Sequence, residues 1–136
     1  MSIASAPGNN EYLPDHQVDP TAFPEDSLKV VDLTNDAGNT LSLISMNSLY
    51  CDNINLYLIQ DQTMPLRQLK TLDSIIGSKD NVVLVAHISP TSASCSPIYG
   101  RLFRAIVAKH SSKIRGQFYG HTHLDEFVVN TNPLDN

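Results

Sequence analysis

Val82-Val83-Leu84-Val85-Ala86-His87 is the stretch on which the fold is read. Five apolar residues follow one another without alternation, as in a central strand covered on both sides, and a single polar residue sits where the strand ends. Upstream of it, Leu66, Leu69, Leu72, Ile75 and Ile76 recur at spacings of three and four. That period predicts an amphipathic helix over Pro65 to Ile76, with Pro65 in its first turn and Gly77 as its stop. Downstream, Leu102, Phe103, Ile106 and Val107 form the apolar stripe of a second helix from Ile98 to His110, with Arg101, Arg104 and Lys109 left in water. Gln117 to Tyr119 follows as a strand. Before the first helix, Leu28 to Leu33 and Thr40 to Ser45 read as strands, joined by a hairpin-like turn at Asn35, Asp36, Gly38 and Asn39. Strand, strand, helix, strand, helix, strand is an α/β order, with βαβ units at the centre of a mixed sheet and helices packed on it. Residues 7 to 27 contain Pro7, Pro14, Pro20 and Pro24 among polar residues and are expected to be loop.

Composition narrows the classes of function. A chain of 136 residues suits one hydrophobic core. A net charge of −5 supplies no general attraction for a nucleic-acid polymer or an anionic membrane. An anionic substrate would therefore need a local positive centre, which a bound metal ion provides at contact distance. No stretch is long and apolar enough to span a membrane, and Met1 to Gly8 lacks the basic and apolar regions of a signal peptide. Cys51 and Cys95 are too few for a zinc finger and are either two buried thiols or one disulfide; composition favours the thiols.

The residues that carry chemistry are histidines at strand ends. His87 closes one apolar run, and Gln117-Phe118-Tyr119-Gly120 leads into His121 and His123. An i, i+2 pair puts both imidazoles on one side if the backbone stays extended. Parallel strands would bring all three histidines to the C-terminal edge of the sheet, where open α/β sheets bind ligands. Imidazole is a common zinc and iron ligand, and Gly120 would let the chain turn without a side chain crowding the metal. His16, in the Pro-rich loop, and His110, at a helix end where it can meet the helix dipole, have ordinary structural readings.

Gly120-His121-Thr122-His123-Leu124-Asp125-Glu126-Phe127, preceded by Val85-Ala86-His87-Ile88-Ser89-Pro90, resembles the C-terminal motifs of calcineurin-like metallophosphoesterases, and in detail their acid sphingomyelinase branch. Ser45-Met46-Asn47-Ser48-Leu49-Tyr50-Cys51, Gln68-Leu69 and Gly8-Asn9-Asn10-Glu11 extend the likeness over most of the chain, in the family's order. The resemblance implies part of a β-sandwich flanked by helices, with residues 1–27 carrying the Gly-Asn-Asn-Glu motif and 28–136 forming the C-terminal half of the catalytic domain. It implies a binuclear zinc site acting on a phosphodiester, such as a phospholipid or a nucleotide. By position Asn9, His87 and His121 would bind one metal and His123 the other. It also implies a Cys51–Cys95 disulfide, and with it an extracellular or lysosomal setting.

The chain departs from the family pattern in two respects. The Asp-x-His and Gly-Asp motifs, including the aspartate that bridges the metals, do not occur in it. Asn10 stands where the family has a histidine that assists the leaving oxygen, and an amide cannot act as a general acid. The expectation is therefore an impaired or incomplete hydrolase. Its alternatives are a degenerate, non-catalytic relative that binds metal or a partner, and a gene fragment whose exposed sheet favours self-association.

Overall fold

A computed structural model describes residues 28–129 together with Ala6, Gly8 and Asn10. Strands β1 (Leu28–Thr34) and β2 (Thr40–Met46) form an antiparallel hairpin in which Val30 faces Ile44 and Leu28 faces Met46. Its turn is built as the sequence indicates. The Asn35 Oδ1 accepts from the amides of Ala37 and Asn39 at 3.1 and 2.9 Å, and Gly38 takes the left-handed conformation with φ +81°. Two 310 turns, Ser48–Cys51 and Leu56–Ile59, lead to helix α1 (Met64–Gly77). Strand β3 (Val82–Ala86), helix α2 (Pro97–Lys109) and strand β4 (Ile114–Phe118) complete the order. One mixed sheet of order β1-β2-β3-β4 results, with β2, β3 and β4 parallel.

Both crossovers step in the same direction along the sheet, so the right-handed rule puts α1 and α2 on one face. Burial in β3 records this. Val82, Leu84 and Ala86 are buried in the core with Ile44, Met46, Leu69, Leu72, Ile76 and Phe103, whereas Val83 and Val85 are only half-buried. The reading of β3 as covered on both sides is therefore corrected. An unbroken apolar run marks a strand in the middle of a sheet but does not say how many faces are covered. On the second face Leu43 pairs with Val83, and Val85 pairs with Phe118, which is 63 % exposed.

The helices keep their expected positions to within a residue or two, but their buried faces are rotated. In α1 the buried residues are Met64, Gln68, Leu69, Leu72 and Ile76, while Leu66 is exposed. In α2 they are Tyr99, Gly100, Phe103 and Val107, and Leu102 is exposed. The displaced leucines line a groove between the two helices. β4 begins three residues earlier than the sequence indicates, because an edge strand can be as polar as Ile114-Arg115-Gly116-Gln117. A register shift between Val82 and Val83 accommodates it.

His110 caps α2 and is buried at the helix end. Its Nε2 lies 2.7 Å from Asp73 Oδ1, and Lys109 Nζ is 2.8 Å from the same carboxylate, so α1 and α2 are clamped at this end. Hydrogen bonds from Lys109 and then His110 hold the Asp73 carboxyl below the usual range. At the other end of α2, Gly100 lies against the loop that follows β3, where a β-carbon would overlap the Pro90 carbonyl oxygen. Gly100→Ala is expected to lower stability by about 1–3 kcal/mol, the usual penalty of overpacking, despite alanine's better helix propensity. A urea melt that shows Gly100→Ala equal to or more stable than the parent would contradict this packing.

Candidate metal-binding histidine pair

The parallel register carries the ends of β2, β3 and β4 to one edge of the sheet, and that edge holds the polar residues. After β2, Ser48 Oγ accepts the Ile88 amide at 2.7 Å, tying the end of β2 to the segment after β3. After β4, the Gly120 amide donates to the His87 carbonyl at 2.9 Å and prolongs the β3–β4 ladder by one rung beyond the strands. This last bond sets His121 beside His87. His121 Nδ1 lies 3.2 Å from His87 Nε2, with the rings 5.1 Å apart and nearly perpendicular at 79°. The other ring nitrogen, His121 Nε2, is 3.1 Å from Ser94 Oγ.

His87 and His121, distant in sequence, are thus brought together, and both are half-buried. The backbone after Gly120 does not stay extended. His121 has φ 76° and His123 has φ 57°, so the condition under which i, i+2 side chains share a side is not met, and His123 is exposed. Left-handed backbone at a non-glycine residue costs roughly 1–2 kcal/mol, though histidine tolerates it better than most. A β-carbon at Gly120 would meet His87 Nδ1 at an ordinary 3.7 Å, so space alone does not demand glycine. Asn9 and Glu11 lie outside the described residues. Of the remaining two positions in that motif, Gly8 is buried and Asn10 is exposed.

Two imidazole nitrogens bound at 2.0–2.1 Å to one tetrahedral zinc ion are about 3.3 Å apart, close to the spacing seen here. The spacing of the pair therefore suits two positions on one ion. Among the described residues no group of three or more His, Cys, Asp or Glu side chains is arranged to hold a metal. Close by, Tyr119 donates to Gln117 Oε1 at 2.8 Å, and burial pushes its phenol far above the ordinary tyrosine range, so it stays a neutral donor.

Cys51 and Cys95 form a disulfide with their Cα atoms 4.8 Å apart, within the normal range. Composition had favoured free thiols because buried cysteines are common; the family likeness implied the bond. The disulfide joins the 310 turn after β2 to the loop before α2, beside an isolated β-bridge between Asp52 and Cys95. Ser94, one residue before Cys95, was not singled out from sequence. It is one of several serines between Ser89 and Ser96, and nothing local distinguishes it.

No family model matches the chain. Over 93 residues, 65 % of this chain, it is 39 % identical to sphingomyelin phosphodiesterase B of Dictyostelium discoideum, of which the match covers 15 %. It is 34 % identical to sphingomyelin phosphodiesterase of Homo sapiens, covering 14 % of that protein. Over 112 residues it is 32 % identical to the cyclic GMP-AMP phosphodiesterase SMPDL3A of Mus musculus, covering 70 % of this chain and 24 % of the relative. The chain thus spans less than a quarter of the length of these curated relatives. With an α/β sheet that sets two histidines at one strand-end edge, these similarities support kinship with acid sphingomyelinase-like phosphodiesterases.

Proposed function

We propose that this chain carries the histidine-bearing part of a metal-dependent phosphodiesterase site of the calcineurin-like metallophosphoesterase superfamily. The observation that carries the reading is the 3.2 Å approach of His87 Nε2 and His121 Nδ1 at the ends of adjacent parallel strands. Asn9, His87 and His121 would hold one zinc ion of a binuclear site, and His123 the other. Zinc in such a site polarises the phosphoryl oxygens and supplies hydroxide at neutral pH. The contribution of this chain's own residues is to present imidazole nitrogens at the strand-end edge and to keep His121 in one orientation. The substrate is a phosphodiester, with a phospholipid headgroup and a nucleotide as the two classes that the relatives' names bring into view. A disulfide accords with an extracellular or lysosomal setting. Among the described residues no helix is long and apolar enough to cross a membrane.

Zinc titration of the chain, followed by assay on bis-p-nitrophenyl phosphate, tests this reading. Zinc uptake that is lost in His87→Ala and in His121→Ala is the expected result; no uptake by the parent chain overturns it. One observation favours a second reading, that of a non-catalytic relative. Asn10 replaces the family's acid histidine, and an amide cannot supply the proton. Under that reading zinc binds but Asn10→His leaves hydrolysis at background, whereas recovered turnover rules it out. The half-covered second face of the sheet, with Leu33 49 % and Phe118 63 % exposed, favours self-association under either reading.

A further inference from the structure

We infer that Ser94 is a positioning residue for His121, and that the Cys51–Cys95 disulfide holds it in place. The inference rests on the proposed metal reading for its ligand, a divalent cation such as zinc, but its geometry stands apart from it. His121 has its two ring nitrogens directed at the two ends of the segment between β3 and α2: Nδ1 at His87 Nε2 and Nε2 at Ser94 Oγ, at 3.2 and 3.1 Å. A neutral imidazole carries one proton. With that proton on Nε2 and donated to Ser94 Oγ, the Nδ1 lone pair faces His87, which is the tautomer that a cation shared between the two rings requires. With the proton on Nδ1, the same nitrogen would be closed to a metal.

In this assignment Ser94 Oγ accepts the Nε2 proton rather than donating to the ring, from a loop held by several bonds. The Ser94 amide donates to Ser92 Oγ at 3.0 Å, and its carbonyl accepts the Asn53 amide at 3.0 Å. The residue before it, Ala93, accepts from Asn53 Nδ2 at 2.9 Å, and the residue after it is disulfide-bonded Cys95. The Ser96 amide donates to the Cys51 carbonyl at 2.7 Å. The disulfide and these bonds therefore tie the Ser94 loop to residues 51–53, which follow β2, while His121 follows β4. Ser94 thus links the stapled end of the sheet to the histidine pair.

Two measurements on the full, oxidised chain test the assignment. In the metal-free protein, 15N-edited spectra of the histidine rings should show His121 as the Nε2–H tautomer, changing to a mixture in Ser94→Ala and returning in Ser94→Thr. In zinc titrations, Ser94→Ala should weaken affinity by roughly tenfold or more, the usual effect of removing a partner behind a ligand, with Ser94→Thr close to the parent. Reduction of the disulfide should weaken the parent in the same direction and change Ser94→Ala much less. An unchanged His121 tautomer in Ser94→Ala overturns the assignment, as does unchanged zinc affinity in a chain that binds zinc. If the parent takes up no zinc, it is the metal reading that fails, and the tautomer spectra alone then decide the role of Ser94.

Discussion

Replacing Cys51 and Cys95 together by alanine is expected to destabilise the chain by about 3–4 kcal/mol, a large part of the margin of a domain this size. The bond closes a loop across 44 positions, and opening it returns the chain entropy of that loop to the unfolded state. The loop contains α1 and β3, which contribute Met64, Leu69, Leu72, Ile76, Val82, Leu84 and Ala86 to the core. Both cysteines are buried, so the truncation also removes packing at the 310 turn. Urea unfolding without reductant should show the midpoint fall, and adding reductant to the parent should reproduce most of the fall. An unchanged midpoint would mean that the hydrogen bonds around Asn53 and Ser96 hold the loop without the bond.

Gln68→Ala is expected to cost about 3 kcal/mol, because Gln68 is the middle of a buried polar chain. It is fully buried, accepts from Tyr99 Oη at 2.6 Å and donates through Nε2 to the Asn47 carbonyl at 2.9 Å. This chain joins α2, α1 and the end of β2. Burial pushes the Tyr99 phenol above its ordinary range, which favours the protonated, donating form. Truncation leaves that hydroxyl and the Asn47 carbonyl without partners and opens a cavity. Gln68→Met keeps the volume and isolates the polar part of the cost. Combining Gln68→Met with Tyr99→Phe should then cost less than the sum of the two, since the second change removes a donor already orphaned. Strict additivity in chemical denaturation would show that the two groups do not depend on each other.

Gln68 also shows why apolar periodicity alone does not give the buried helix face. The period-3.6 pattern counts apolar residues, and a glutamine at the centre of the buried face is invisible to it; the stripe was drawn through Leu66 instead. What places Gln68 inward is the Tyr99 hydroxyl and the Asn47 carbonyl, supplied by residues 31 and 21 positions away. β4 was cut short for a related reason. An edge strand has no periodicity to read when one side is open to solvent.

The amino-acid sequence alone determined the α/β class, the element order, the β1–β2 turn and the placing of His87 and His121 at strand ends, because these follow from local periodicity and turn chemistry. Only tertiary structure decided which histidines meet. Parallel pairing of β3 with β4 and the Gly120–His87 hydrogen bond bring His121 to His87, while positive φ at His121 and His123 ends the extended run on which a three-histidine edge depended. It likewise decided the partner of His121 and the state of the cysteines. Ser94, Cys51 and Cys95 come together through contacts between residues far apart in the chain, and no local pattern encodes such contacts.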